Sequence, residues 1–566
     1  MPRRPTRVAL VVPLLLAALV AAACSAPSRK PSAAVAAANR DRGGALEVLL
    51  DQDVRHWDPQ RIDGGPEAAL AVRMFVRTLT TTNGGAPGVD GSPVQADLAT
   101  TTGTATDGGR TWTFTLRTDV EWQDERTVTC EDVRYGVSRA FATDVLTGAP
   151  AYAASLLDIP STTDAQGRTV SAYAGPYRGT GQALYDRAVT CSGRTITFHL
   201  KRPAYDFDQT VALPAFAPVR RDHDLRGAMN LMVFSCGPYM LEGEYVPGVG
   251  GRFVRTRTWT PLSDFVRRAL PDSVTLHEGL DTTTAVQRLV DDQGPDRFGV
   301  TVADTPPALQ ARLLDDPALA GRTTSVPTPT VDVLVPDTRS PVMRSAAARR
   351  ALAVATDRTA FVAASGGPTA LDAATSLLPS TVAGTSTTDP YGAPAAGDPT
   401  AARALLAGSG LTLPVPIRVA YRSSALADAG FAALRAGWQR AGFAVTLVPL
   451  AEGATAPAGV DVSEQAWTAA WPSASTLLPV FVARTPGWST DPTVTRLLAA
   501  AETTEAATAR GQAWAALDRA LATSGAYVAL AQPTRVLVHG SGVVGYADSA
   551  DLGGYPDLAR LQLARP

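Results

Sequence analysis

The 566-residue chain is poor in the residues that announce chemistry. It has four cysteines, Cys24, Cys130, Cys191 and Cys236, and no two stand as a CxxC pair, which argues against a zinc site. Five histidines are scattered, at His56, His199, His223, His277 and His539, and no HExxH occurs. The stretch "RDHD" (residues 221–224) carries metal-ligand residue types but reads as a polar turn. Lysine is nearly missing: only Lys30 and Lys201 are present. With a net charge of −2 and no polybasic stripe, nucleic acid is excluded as a partner class. There is no GxSxG elbow and no P-loop. "GVGGRF" (residues 248–253) resembles a phosphate loop in glycine content, but it lies between strand patterns and reads as a hairpin turn. Carboxylates are plentiful, yet spacing singles out no acid–base pair. An enzyme is therefore the weaker reading, and no metal or cofactor is expected.

Long apolar runs are also missing, with one exception at the start. Arg3, Arg4 and Arg7 precede an apolar run of about sixteen residues (8–23), which Pro13 interrupts. A membrane span needs roughly 20 residues. A basic start, a short apolar core and small residues at the end fit a secretory signal over residues 1–23. Ala21, Ala22 and Ala23 supply the small side chains before a cut, and Cys24 becomes the first mature residue. The site resembles a bacterial lipobox, although Ala21 stands where Leu is commoner; the resemblance implies lipidation of Cys24. An ordinary secretory signal is the alternative. Residues 24–42 are rich in Ser, Pro, Ala and charge; that composition builds no core and reads as a flexible tether. Acyl chains on Cys24 would hold the protein at the outer face of the cytoplasmic membrane. No second apolar stretch of span length follows, so the mature body is expected to be soluble.

About 525 residues remain, too many for one core, so two or three lobes are expected. "GGALEVLL" (43–50) reads as a strand, and Pro66 opens a helical pattern with Leu70, Met74, Phe75 and Leu79 on one face. "GGRTWTFTLR" (108–117) and "SGRTITFHLK" (192–201) echo each other. Each has a glycine turn and then strict alternation, which predicts two hairpin strands of one small sheet. Between them Thr129 and Asp132 form a capping-box variant at the start of a helix marked by Val133, Val137 and Phe141. "FSCGPYMLEGEYVPGVGGRFVRTRTW" (234–259) reads as a hairpin, and residues 344–365 as helical. "DPTAARALLAGSG" (398–410) has an Asp cap, Pro in the first turn and Gly past the end. "IRVAYR", a helix over about 425–441, and "FAVTLVPL" form a βαβ unit, which requires a parallel pair. "AYVALAQPTRVLVH" (526–539) is strand-like.

These pieces, in this order, resemble the extracytoplasmic solute-binding proteins of ABC importers, in particular the dipeptide- and oligopeptide-binding type. "HWDPQ" (56–60) is similar to an early element of that family, and residues 108–141 to its "tFxLR", "W-x-DG", "DV" signature. "SCGPYMLEGEY", "ARRALAVATDR" and "DPTAARALLAGSG" match three further elements. The resemblance implies an α/β, two-lobe, periplasmic-binding-protein-like (type II) fold with an extra small subdomain in the first lobe. On that frame residues 43–325 form the first lobe, with the subdomain at about 91–204. Residues 326–525 form the second lobe, and 526–566 return to the first. "TSVPTPTVDVLV" (324–335) and "AYVALAQP" (526–533) would be the hinge strands. Cys130, at a helix start, and Cys191, at the turn before a strand, fall in the same small-sheet region and are the expected disulfide. Cys236 is then left over; three buried thiols are the alternative.

Two departures from the family pattern stand out. Glu125 follows Asp124 where glycine is usual, which touches only a turn preference. In "QAWTAAWPSASTLLPVF" (465–481), Ala470 stands where peptide-binding relatives carry an Asp that pairs with a peptide's α-ammonium. A buried ammonium without a carboxylate costs several kcal/mol, so a zwitterionic peptide is disfavoured unless Asp461 or Glu464 substitutes. A blocked peptide or an uncharged solute is then admitted. Trp467 and Trp471 offer flat apolar surfaces to a ligand, or pack in the core. Trp57, Tyr135 and Tyr152 are cleft candidates by family position. The expectation is a monomeric, lipid-anchored receptor that hands a peptide or similar small solute to permease subunits with a separate ATPase. A sensor feeding a membrane signalling protein is the alternative on the same fold. A cell-wall-peptide hydrolase would need a nucleophile–base pair, which is not visible.

Overall fold

The computed structural model describes residues 41–83, 94–164 and 169–565. The signal segment, Cys24 and most of the tether lie outside the described residues. Residues Arg42–Pro566 form one compact unit, built on two large sheets with separate cores. No helix among the described residues is long and apolar enough to cross a membrane.

The first large sheet has five strands, in the order Tyr239–Val246, Gly250–Arg255, Ser273–His277, Ala45–Leu49 and Gly299–Thr301. Ala45–Leu49 runs parallel to both its neighbours, while the hairpin over residues 239–255 is antiparallel. Leu46, Val48, Val274 and Leu276 fill the core with Leu70 and Met74 from the helix Gly65–Met74, which Pro66 opens. Gly237 passes this helix so closely that a Cβ there would stand 2.8 Å from the Met74 carbonyl oxygen.

A four-stranded sheet holds the sequence echo. Its order is Thr104–Thr106, Thr111–Thr115, Thr195–His199 and Val189–Ser192. The two echoed segments are adjacent antiparallel strands, with Trp112 opposite Phe198 and Phe114 opposite Ile196. These residues bury one face against the helix Cys130–Arg139 through Val133 and Val137. Thr129 and Asp132 close that helix's N-terminus in a reciprocal capping box. A disulfide joins Cys130 to Cys191 across 61 residues of sequence; Cys236 is buried and free. Glu125 takes a left-handed φ of 70° in the tight turn between Trp122 and Arg126, the conformation that explains a glycine preference there.

The second large sheet has seven strands. Six follow the order Thr323–Pro327, Val528–Val538, Thr330–Pro336, Val462–Thr468, Val415–Arg422 and Phe443–Leu450, and Leu371–Ala373 also pairs with Val528–Val538. Val415–Arg422, the helix Ala425–Ala441 and Phe443–Leu450 make a βαβ unit whose strands pair in parallel from Val415↔Phe443 to Arg422↔Leu450. Residues 344–365 are two helices rather than one, Ala346–Ala355 and Arg358–Ala364. The break is stabilised locally: Thr356 Oγ1 donates to the Leu352 carbonyl and accepts from Trp438 Nε1, while Asp357 caps the second helix.

The strand Val528–Val538 connects the two halves. Its first part pairs with Thr330–Pro336 and its second with Thr323–Pro327, and His539 bridges to Val300 in the first sheet. Beyond the covalent crossings, Arg202 pairs with Glu502 at 2.6 Å and Arg510 lies over the Tyr205 ring. Asp206 accepts from Trp471 Nε1 at 3.1 Å and from the Ser475 hydroxyl. Asp208, two residues on, is pushed up to about 7 by burial and by the neighbouring Asp206 charge.

A four-charge network sits inside the first half. Asp97 binds Arg77 Nε at 2.7 Å and Arg267 Nη2 at 2.9 Å, and Arg267 also pairs with Asp264 at 3.2 Å. All four side chains are at most 1% exposed. Removing one member of a buried network strands the others. Asp97→Ala should therefore cost about 3–5 kcal/mol, read as a shift in the urea-unfolding midpoint. Asp208 gives a pH-dependent case. Its raised value means that the unfolded chain ionises first as pH rises. The contribution to stability is full below about pH 4 and lost by about pH 7. Asp208→Asn should match the parent at acid pH and exceed it by roughly 4 kcal/mol above pH 7; equal melting differences at pH 4 and pH 8 would refute this.

Candidate functional site

A cavity of about 390 Å³ opens between the two halves, within the size range of small-ligand sites. One wall is the start of the helix Gly65–Met74 with the residues before it. Others are Thr81–Thr82, Tyr152 and residues 212–214. The facing wall is Pro329, Thr381 and residues 468–472, and the returning chain adds residues 550–553. Gly64 and Gly65 have φ of 80° and 72°, and this glycine-only turn sets Asp63 at the cavity edge.

Trp471, Ala470 and Tyr152 are brought together here. The Tyr152 and Trp471 rings meet edge-to-face at 5.6 Å. Tyr152 Oη donates to Asp63 Oδ1 at 2.8 Å, while Trp471 Nε1 donates across the halves to Asp206. Burial and the Asp63 charge push the Tyr152 hydroxyl well above its ordinary value, so it remains a donor at neutral pH. Ala470 presents a methyl group, and its N–H donates to Thr476 Oγ1 at 3.3 Å. The wall is mostly small and apolar, with Asp63, Asp551, Gln209 and Thr381 as polar side chains beside the tyrosine, Thr81, Thr82 and Thr468. Gln209 Oε1 and Thr381 Oγ1 are buried with no partner within the protein. Among the described residues, no Arg, Lys or His lines the cavity.

Trp467, Trp57 and Tyr135 stand away from it. Trp467 points into the second-sheet core, edge-on to Phe481 at 5.3 Å, with Nε1 bonded to Gln465. Trp57 is 1% exposed and is boxed in by Phe75, Tyr245 and Phe253. Tyr135 donates to Asp224 at 2.6 Å; that carboxylate pairs with Arg139, which grips Asp58 through both nitrogens at 2.7 and 2.8 Å. The "WDPQ" element is thus a structural joint between the first sheet and the small subdomain. Asp461 and Glu464 do not replace the acid missing at Ala470. Asp461 accepts from Arg418 N and the Ser340 hydroxyl, and Glu464 from Arg422 N; neither reaches the cavity wall.

Sequence reasoning missed Asp63, Gln209, Thr381 and Asp551. Only Asp63 carried a signal, its place before two glycines. It also passed over "GSGVVG" (540–545), whose spacing matches a dinucleotide fingerprint. No helix follows: Val543–Val544 is a strand paired with Gln562–Leu563, so the phosphate-binding helix terminus is not there.

Residues 93–489 match the family model of bacterial extracellular solute-binding proteins, family 5. Among solved structures, "Clavulanic acid biosynthesis oligopeptide binding protein 2" is 30% identical, with a TM-score of 0.82 over 93% of this chain and 96% of that one. The Escherichia coli murein tripeptide binding protein MppA is 21% identical, with a TM-score of 0.66 over 92% and 99% of the two chains. The Helicobacter pylori periplasmic binding protein DppA, in complex with the peptide STSA, is 15% identical, with a TM-score of 0.65 over 93% and 99%. No curated protein sequence matches. The matched relatives are solute-binding proteins rather than enzymes, and the fold is the two-lobe α/β fold of this group. The chain belongs to the bacterial extracellular solute-binding proteins of family 5.

Proposed function

We propose that this chain is the lipid-anchored receptor of an ABC importer. It captures a peptide or similar small solute in the cavity between its lobes and delivers it to a membrane permease driven by a separate ATPase. The observation that carries the reading is the cavity itself. Both halves of the chain build its walls, and Trp471 of one half faces Tyr152 of the other within it. Relatives named as oligopeptide- and tripeptide-binding proteins support the solute class. In this reading residues 43–325 and 526–566 form one lobe and 326–525 the other, with the small subdomain at about 91–204. The strand Val528–Val538 straddles both. Residues 1–23 are removed and Cys24 is acylated, placing a monomeric receptor at the outer face of the cytoplasmic membrane.

Native mass spectrometry of the mature domain, purified from its host, should show a co-purifying small mass that leaves on denaturation. An empty protein with no thermal shift across peptide panels would sink the receptor reading. Trp471→Ala should weaken capture by about tenfold or more while leaving the fold intact by circular dichroism. Cys24→Ser should move the full-length protein from the detergent phase to the aqueous phase in a two-phase partition; unchanged partition would remove the anchor.

A further inference from the structure

We infer that Asp206 is a positioning residue for capture: without lining the cavity, its carboxylate clamps the wall segment that carries Trp471 and sets how far the lobes close. This inference rests on the capture reading above and names a residue on which capture depends. Asp206 is 5% exposed and is not among the lining residues of the cavity. It stands at the N-cap of the short helix Phe207–Thr210, a place where an Asp side chain ordinarily accepts from the first N–H groups of the helix. Here it makes no such bond. The side chain is turned across the interface instead. Oδ2 accepts from Trp471 Nε1 at 3.1 Å and from the Ser475 hydroxyl. Both donors come from the opposite half of the chain.

The two bonds hold one short segment at both its ends. Between them the chain turns tightly: Ser473 N donates to the Trp471 carbonyl at 2.6 Å, and Ser473 Oγ accepts from Ser475 N at 3.3 Å. The Ser473 hydroxyl donates to Ser475 Oγ at 3.2 Å, which leaves the Ser475 proton for Asp206. Ala470, Trp471 and Pro472 line the cavity, so the carboxylate fixes the wall as well as the lobes. The Trp471 indole is held by the first half from two sides, its Nε1 by Asp206 and its ring by Tyr152 at 5.6 Å. A buried carboxylate deprived of donors is costly, and the charge of Asp208, two residues on, opposes that of Asp206. The closed arrangement therefore depends on these donors, whereas parted lobes leave Asp206 to water. The Arg202–Glu502 pair, partly exposed on both sides, lacks this dependence.

The test measures closure directly, with no solute added. Spin labels on Val249→Cys and Leu426→Cys, exposed sites in opposite halves, report the distance between the lobes by double electron–electron resonance. The parent should show a closed and an open population. Asp206→Ala should reduce the closed one about fivefold or more, and Asp206→Asn, which keeps an acceptor oxygen, should recover part of it. Trp471→Phe keeps an aromatic ring and loses the Nε1–H. It should reduce the closed population about threefold and have no further effect beside Asp206→Ala. A capping or packing role confined to the first half would not produce that coupling. A distribution unchanged by Asp206→Ala, or effects of the two substitutions that simply add, would overturn the inference. Should Asp206→Ala fail to fold by circular dichroism, Trp471→Phe and Ser475→Ala carry the test, and an unchanged distribution in both overturns it. Native mass spectrometry of the same proteins keeps the two readings apart. A distance shift with no co-purifying mass in any protein, parent included, leaves the clamp and removes the receptor. A mass that Asp206→Ala retains as fully as the parent removes the positioning role and leaves the receptor.

Discussion

The rest of the molecule depends on two crossings of the chain that lie hydrogen-bonded side by side. The outgoing crossing is Thr323–Pro327 followed by Thr330–Pro336, and the return is Val528–Val538, which pairs with both. At the midpoint Thr328 donates to the Pro533 carbonyl through its N–H and its hydroxyl, at 2.9 Å each, and Gln532 Nε2 donates back to the Thr328 carbonyl at 2.7 Å. Pro329 and Pro533 flank this lock and have no N–H to leave unpaired when the ladder is interrupted. Any change of angle between the lobes must pass through these few residues, the usual structural form of a hinge. Pro329 also lines the cavity, so the site stands directly against the line about which the lobes are joined.

The first lobe is held in shape by buried charge as much as by apolar packing. The Asp97 network ties the segment after the helix Gly65–Met74 to the loop at residues 263–267. The Arg139–Asp58 pair, fully buried on both sides, ties the small subdomain's helix to the chain below. Such pairs add little net stability compared with apolar residues of the same volume. Their geometry is demanding, however, and they fix where elements meet. That placement matters here because Asp63 follows Asp58 by five residues, and its position at the cavity edge inherits the register the buried pair sets.

Much of the fold was legible because strand and helix periods act locally. The alternation in residues 108–117 and 192–201 located two strands, and their shared pattern reflects one buried face. The capping box at Thr129 was readable because its bonds span three residues. The helical break at Thr356 was not, since it depends on Trp438, distant in sequence. The cavity was legible only in part. Its walls come from segments far apart in the chain and are largely Gly, Ala and Pro, which leave no motif. Large aromatic residues drew attention instead, and their packing partners separate them: Trp471 lies on the wall, while Trp467, four residues away, faces the Phe481 core. The family signature proved to be architectural for a related reason. Trp122 Nε1 donates to Asp132, the partner of Thr129 in the capping box, so the motif records a fold joint rather than a ligand contact.

The contacts across the lobes are modest, and that has a consequence for capture. Arg202–Glu502 is partly exposed, and such pairs contribute roughly 0–1 kcal/mol. The bonds from Trp471 and Ser475 to Asp206 replace bonds that the same groups make with water when the lobes part, so their net contribution is about 1–3 kcal/mol. A receptor closed by these alone opens readily. On the proposed reading, a solute seated against Trp471 and Tyr152 adds apolar contact on both walls at once, and it does so only in the closed arrangement. Differential affinity of this kind is what allows a ligand to shift a conformational equilibrium. Weak intrinsic closure therefore suits a protein that must both hold its solute and release it.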